Sequence, residues 1–376
     1  MNRAPEAPSA PRALLVYRAD SFLMPPESPR FRLHQNRWRA VQLARLLGEF
    51  GYIVDVADLF DVGQRRFEPT RRYDVILSAH SADACFDSPL TRDARRLFLA
   101  TTTARHIHNS NVLRRHQMLS QRRGSSVQQR RKYWEQLPFV ESADAIIGVG
   151  NSAMLESWRE VSRAKTYAFN NHGYDDTRFI FESKNFAAAK RNFFFFASAS
   201  QVQKGLDLLL EIFPRHPDLH LYVCSGFSSE PDFCECYKKE LFETPNVHPI
   251  GWIEVNGARF YELAETCAFS ILPTCSEGQA GSIIQCMWAG LIPVLTREAN
   301  LDAEDFGVLF ADDSLDEIER VILELANLPE EWHRERSLAA RKAAEEKYSE
   351  AEFLRRWREI LGEVLPNGAS TTAGGA

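Results

Sequence analysis

No apolar run in the 376 residues is long enough to span a bilayer, and the opening MNRAPEAPSAPRA has no apolar stretch of the kind a secretory signal needs. The seven cysteines (Cys85, Cys224, Cys234, Cys236, Cys267, Cys275 and Cys286) are odd in number, scattered, and contain no C-x-x-C pair. That pattern argues against a disulfide framework and suits a reducing cytoplasm. Cys234-x-Cys236 sits in a helical pattern without further ligands, so no metal site is expected there. There is no excess of positive charge either: 45 Lys and Arg stand against 51 Asp and Glu, a net charge of -6. This argues against wholesale nucleic-acid binding and leaves room only for a local basic face. D-x-D metal motifs and internal repeats are also missing.

What is present reads as globular α/β. Ala13 to Tyr17 (ALLVY), Tyr52 to Val56, Tyr73 to Leu77, Leu97 to Thr101 and Ala143 to Ile147 are short apolar runs separated by helical patterns, as in a parallel sheet. A second series begins at Phe193 to Ala197 (FFFFA) and continues through Leu219 to Cys224, Val247 to Ile253, Phe269 to Leu272 and Ile292 to Leu295. Between the two series, Tyr167 to Lys190 is polar and turn-rich and marks a boundary. The expected fold is therefore two Rossmann-like doubly wound domains. The N-terminal one covers residues 13–172 and the C-terminal one 190–345, followed by a helix over 346–365 and a disordered tail over 366–376. Phe353, Trp357, Ile360 and Leu361 lie on one face of that helix.

The stretch AFSILPTCSEGQAGSIIQCMWAGLIPVLT, from Ala268 to Thr296, carries the chemistry. A strand meets the turn Ser276-Glu277-Gly278-Gln279-Ala280-Gly281-Ser282, a helix follows, and Leu291 opens the next strand. Small residues with unhindered N–H groups, set at the positive end of a helix, suit a phosphate. Glu277 is repelled by a phosphate and falls to neutral hydroxyls beside it. A sugar on a diphosphate presents both. Two other stretches have competing readings. Gly148-Val149-Gly150-Asn151-Ser152-Ala153 satisfies G-x-G-x-x-A, which is either a dinucleotide fingerprint or the tight end of the last strand of the first domain. Between Thr101 and Glu135, eight basic residues (Arg105, Arg114, Arg115, Arg122, Arg123, Arg130, Arg131, Lys132) accompany a single acidic one. They form either a solvated helix pair or a face for an anionic acceptor or a membrane surface.

With these motifs in order, the chain resembles the retaining GT-B glycosyltransferases of family four, the group 1 glycosyl transferases, whose hallmark is E-x7-E. Here it reads Glu277 and, at the second position, Gln285; Lys204-Gly205, Gly251-Trp252 and Gly290 to Val294 also match. The resemblance implies transfer of a sugar from a nucleotide-diphosphate donor to a hydroxyl acceptor, glycan, lipid-linked or small. Retention would follow a same-face route, with no metal and no cofactor. It implies that Lys204 faces the diphosphate, Glu277 the sugar hydroxyls, and Gly278, Gln279, Ala280, Gly281 and Ser282 the phosphates. Gln285 would meet a ribose hydroxyl, Ser198 the donor, and Trp252 and Ile253 the nucleobase. His106, then His108, is expected at the donor sugar. The family's Arg ahead of the Lys is replaced by Ala197 to Gln201, leaving the diphosphate to Lys204 and backbone dipoles, or to an Arg from the other domain. His34-Gln35-Asn36 would shape an acceptor pocket. Still open are a nucleotide-sugar-binding protein without turnover and a sugar-nucleotide epimerase. The enzyme would be cytoplasmic, with the basic 105–132 segment offered to a membrane.

Overall fold

The computed structural model describes residues 10–25, 28, 31, 34–64, 66–79, 86, 88–132 and 138–365. The tail over 366–376, Cys85, Glu135 and the segment before residue 10 lie outside them. Two parallel six-stranded sheets organise the chain. The first, in order β2-β1-β3-β4-β5-β6, comprises β1 Arg12–Tyr17, β2 Ile53–Asp58, β3 Val75–Ser78, β4 Arg95–Ala100, β5 Ala145–Val149 and β6 Lys165–Phe169. The second, in order β12-β11-β10-β7-β8-β9, comprises β7 Asn192–Phe196, β8 His220–Cys224, β9 Val247–Pro249, β10 Phe269–Leu272, β11 Ile292–Leu295 and β12 Val308–Leu309. Helices of seven or more residues are labelled α1 Gln35–Glu49, α2 Arg105–Arg123, α3 Ser152–Arg159, α4 Leu206–Ile212, α5 Ala258–Thr266, α6 Gly281–Trp288, α7 Leu315–Asn327, α8 Glu330–Lys347 and α9 Glu350–Val364. None among the described residues is long and apolar enough to cross a membrane.

The run of phenylalanines shows why a central parallel strand reads as continuously apolar. Side chains alternate along a strand, so Phe193 and Phe195 enter the layer shared with α4, while Phe194 and Phe196 enter the opposite layer with Phe260 of α5 and Cys286 of α6. Both faces are covered, so neither tolerates a polar residue.

One boundary differs from the sequence reading. Gly148 to Ala153 does not end the last strand of the first sheet, because β6 follows it and pairs with β5 along its length. Gly150 takes φ 142 and approaches so closely that a Cβ would lie 2.8 Å from the Gly278 carbonyl oxygen. This glycine pattern therefore serves contact between the two halves. The connection over 170–190 is packed inward at several positions. Asn171, His172, Tyr174, Thr177 and Lys184 are buried, and Lys184 Nζ donates to the Cys267 carbonyl at 3.0 Å.

α9 crosses back to the first half. Ser349 caps it, its hydroxyl accepting from Glu352 N–H at 3.1 Å. Residues 353, 357, 360, 361 and 364 recur at helical spacing and are all buried in the first core. Phe353 meets Trp38 of α1, and Trp357 meets Phe169 of β6. Trp357→Ala should therefore cost about 3–5 kcal/mol, read as a lower denaturant midpoint. An unchanged midpoint would mean that α9 does not stabilise the first core.

α2 departs most from expectation. It follows β4, yet its Leu119, and Val127 beyond it, lie in the core of the second half. Its arginines are turned to carboxylates there. Arg115 is fully buried, with Asp313 at 3.0 Å and Asp207 at 3.9 Å. Arg122 reaches Asp207 at 2.6 Å, Arg123 reaches Glu211 and Glu240 at 2.8 Å each, Arg114 reaches Asp313 at 2.6 Å, and Arg130 pairs with Asp232. Burial pushes the Asp207 carboxyl up to about 6 although both arginines pull it down. The basic segment is thus not simply a solvated helix pair. Five of its eight cations tie the two halves together.

Candidate functional site

The turn after β10 is built before any ligand arrives. Gln203 Nε2 donates to the Ser276 carbonyl at 2.7 Å, Asn300 Nδ2 to the Glu277 carbonyl at 2.9 Å, and Thr274 Oγ1 to Glu277 Oε1 at 3.0 Å. From the first half, the Thr103 amide donates to the Glu277 carbonyl at 3.2 Å, and the Thr103 and Ser276 hydroxyls meet at 2.9 Å. The turn therefore touches both halves at once. α6 begins just beyond it, with Ala280 at the N-cap and no side-chain cap, so its first amides and its positive end open on the space between the sheets.

That space is a cavity of about 300 Å³. Glu277, Gly278, Gln279, Ala280, Gly281, Ser282 and Gln285 line one wall, with Lys204, Ser198 and Trp252 beside them. These residues, widely separated in the chain, are brought together. Lys204 ends the short helix Gln201–Lys204, and Gly205 after it takes φ 82 where a Cβ would strike the Pro273 carbonyl. In this structure Lys204 Nζ is paired with Glu277 Oε1. Burial lowers the proton affinity of Lys204 and the Arg131 charge adds to that, while Glu277 works the other way. The arrangement is a cation and a carboxylate, each held by the other, at the mouth of a helix N-terminus.

Three expected residues are placed otherwise. His106 is half exposed at the start of α2, 2.9 Å from Glu160, and does not line the cavity. His108 lies behind the turn, its Nδ1 2.9 Å from the Ser276 hydroxyl. Residues two apart on a helix face different ways, so these two histidines never share a target. Ile253 is buried off the cavity, and Trp252, 59% exposed, stands at its rim. Gln285 does line the cavity, but its amide is engaged. Oε1 accepts from Tyr174 N–H at 3.1 Å, and Nε2 donates to Asn256 Oδ1 at 2.7 Å and to Thr177. It clips the connection between the halves to α6.

The opposite wall was less legible. His34, Gln35 and Asn36 at the start of α1 line it with Arg39, Asn171 and Arg131. His34 is the N-cap, its Nδ1 accepting from Asn36 N–H at 3.2 Å, which needs an unprotonated nitrogen. Gln35 Nε2 donates to the Gly281 carbonyl at 3.0 Å, joining the N-termini of α1 and α6. Arg131 reaches Ser198 Oγ at 3.3 Å. The signal for Arg131 was only its membership of a basic run.

The buried histidines make stability depend on pH. Burial, with neighbouring arginines, lowers His34 to about 4; burial lowers His108 to about 4 and His172 to about 3. Each stays neutral when folded and takes a proton near 6.5 when unfolded, so the unfolded chain binds more protons between those values. Stability is then full above pH 6.5 and falls as pH drops toward 4, each histidine giving up to about 1.4 kcal/mol per pH unit. Melting temperature measured across pH 7 to 4 checks this, and His172→Asn should flatten the slope.

Residues 190–327 match the family described as glycosyl transferases group 1, a match that lies within the second half of the chain. A search of curated proteins finds no match. Among solved structures the chain is similar to HepE of Anabaena in complex with UDP and glucose: 12% identity over 94% of this chain and 99% of that one, TM-score 0.59. It is similar to a glycosyltransferase from Rickettsia africae, at 14% identity over 96% of this chain and 100% of that one, TM-score 0.59. It is also similar to TarM of S. aureus, at 14% identity over 76% of this chain, TM-score 0.54, and spans 54% of the length of TarM. At such identities the likeness is one of fold. The chain has the GT-B architecture, and within it residues 190–327 match the group 1 glycosyl transferase family.

Proposed function

We propose that the protein is a glycosyltransferase that moves a sugar from a nucleoside diphosphate to an acceptor hydroxyl, with retention at the anomeric carbon and without metal or cofactor. One observation carries this reading: a cavity whose walls present the N-termini of α1 and α6, Lys204 and Arg131, with Glu277 set beside them. Positive ends and cations suit the diphosphate, and the carboxylate suits sugar hydroxyls. The neighbouring structures that hold UDP with glucose, and UDP-glucose, support a donor of this class.

In the proposed step the bond from the anomeric carbon to the diphosphate oxygen breaks, and the acceptor oxygen bonds to that carbon on the same face. The acceptor proton passes to the departing diphosphate. Lys204, Arg131 and the amides of α6 stabilise the charge that develops there, a task set by preorganised donors rather than by a base. For Lys204 to do this it exchanges Glu277 for phosphate, which frees Glu277 for the sugar. A glycoside hydrolase requires two carboxylates across the bond, and among the described residues Glu277 is the one carboxylate on the cavity wall.

A thermal-shift panel of UDP-, GDP- and ADP-sugars, with NAD as control, tests the donor. One nucleotide sugar at a hundred times its dissociation constant should stabilise the chain by about 2.7 kcal/mol. NMR of the product formed with that donor should show the anomeric configuration unchanged. Silence across the panel, or a response to NAD alone, would sink the reading; an inverted product would sink retention only.

A further inference from the structure

Arg39 carries a charge that no carboxylate among the described residues pairs with. It is 2% exposed, in the second turn of α1, and lines the cavity. Its Nη2 donates to Asn171 Oδ1 at 2.5 Å and its Nη1 to the Tyr17 hydroxyl at 3.4 Å, while Nε has no partner among the described residues. Burial raises the Tyr17 phenol, although Arg39 pulls it down, so Tyr17 is a neutral acceptor and not a counter-ion. No ion pair of Arg39 exists among the described residues. Arg115, equally buried, has Asp313 at 3.0 Å. A buried guanidinium without an anion is costly, and folds rarely retain one that has no task.

Its position says which anion it awaits. Arg39 lies one helical turn beyond Gln35 on the same face of α1, and Gln35 touches Gly281. Asn171 links it to the turn, its own amide donating to Gln279 Oε1 at 2.6 Å. Lys204 and Arg131 lie at the Ser198 and Glu277 end instead. The cavity wall therefore carries a further cation on α1, in addition to Lys204 and Arg131.

Resting on the nucleotide-sugar reading above, we propose that Arg39 is the counter-ion of a carboxylate or phosphate carried by the sugar-side substrate, so that the enzyme handles an acidic sugar or a sugar phosphate. The group belongs either to the transferred sugar or to the acceptor, and both present the same chemistry to Arg39.

The test is made on the full chain. Wild-type protein saturated with whichever of UDP, GDP or ADP stabilises it is titrated with glucose 6-phosphate and glucuronate, with glucose as the neutral control. UDP-glucuronate is compared with UDP-glucose in parallel. A further shift from the free acidic sugars alone assigns the anion to the acceptor; a larger shift from UDP-glucuronate than from UDP-glucose assigns it to the donor. Either supports the proposal. In Arg39→Met the added shift should vanish, or its half-saturating concentration rise about tenfold or more, the scale of a lost charge-assisted hydrogen bond, while the nucleoside diphosphate shift stays. Arg39→Lys should restore part of it. If wild type binds a nucleoside diphosphate but responds to acidic and neutral sugars alike, the proposal is wrong; the wild-type arms decide this even if Arg39→Met fails to fold. Loss of the nucleoside diphosphate shift itself in Arg39→Met also overturns it, since Arg39 would then belong to the diphosphate. If no nucleoside diphosphate binds at all, the donor reading fails instead, and the acidic sugars titrated alone still decide Arg39.

Discussion

Glu277→Ala should lower kcat/KM about 10²- to 10³-fold, the loss typical of one preorganised charged contact at a reacting centre. The two sheets should survive, because the turn is held mainly by its backbone, through Gln203, Asn300 and Thr103. Stability nevertheless falls, because Lys204 loses the carboxylate that keeps it charged inside the cavity. The sign of the pH effect follows. Lys204 is depressed relative to the unfolded chain, and more so without Glu277, so the unfolded chain binds the extra proton. Stability of the variant should therefore rise as pH is raised toward the ordinary lysine range. Glu277→Gln keeps hydrogen-bonding capacity but not charge, and should fall between wild type and alanine. Full activity in Glu277→Ala would remove this residue from the mechanism. Equal loss in both variants with unchanged melting would show that only its charge matters.

The second large effect comes from adding a single methyl group. Gly278→Ala places a Cβ against the Thr101 carbonyl, with Val149 Cγ1 at 2.9 Å on another side. A backbone carbonyl cannot swing away like the end of a side chain, so the turn must withdraw from β4. Overpacking of this kind costs about 1–3 kcal/mol. The larger consequence is catalytic, since a shift near 1 Å at a reacting group costs about 10² in rate. Nucleoside diphosphate binding, which relies on α6 and Lys204, should fall much less than turnover. A Gly278→Ala protein with wild-type kcat would mean that contact between the turn and β4 is not part of the working arrangement.

How much of this was legible in the sequence differs from residue to residue. The phenylalanine strand, the stripe on α9 and the Ser276 to Ser282 turn follow from local pattern, because alternation, helical spacing and turn chemistry are properties of neighbouring residues. Lys204 and Glu277, 73 residues apart, were paired only through family resemblance. The course of α2 was illegible. Its arginines meet partners 85 to 199 residues away, and a basic run reads the same whether it faces solvent, a membrane or a carboxylate. His106 was preferred to His108 through family resemblance, which cannot tell which face of a helix points inward. Arg39 looked like one more arginine on the polar side of an amphipathic helix. Its burial depends on Tyr17, Asn171 and Phe169, which three different elements supply.

The crossing of α2 also bears on how such proteins can be recombined. A chimera cut in the connection near residue 180 would seem to exchange whole halves. It would in fact separate Arg115, Arg122 and Arg123 from Asp207, Asp313, Glu211 and Glu240, and strip Leu119 and Val127 from the core they complete. The unit that can be exchanged as a piece is the second half without α9, together with residues 105–132. A graft confined to the loops around α1 leaves that arginine strut in place.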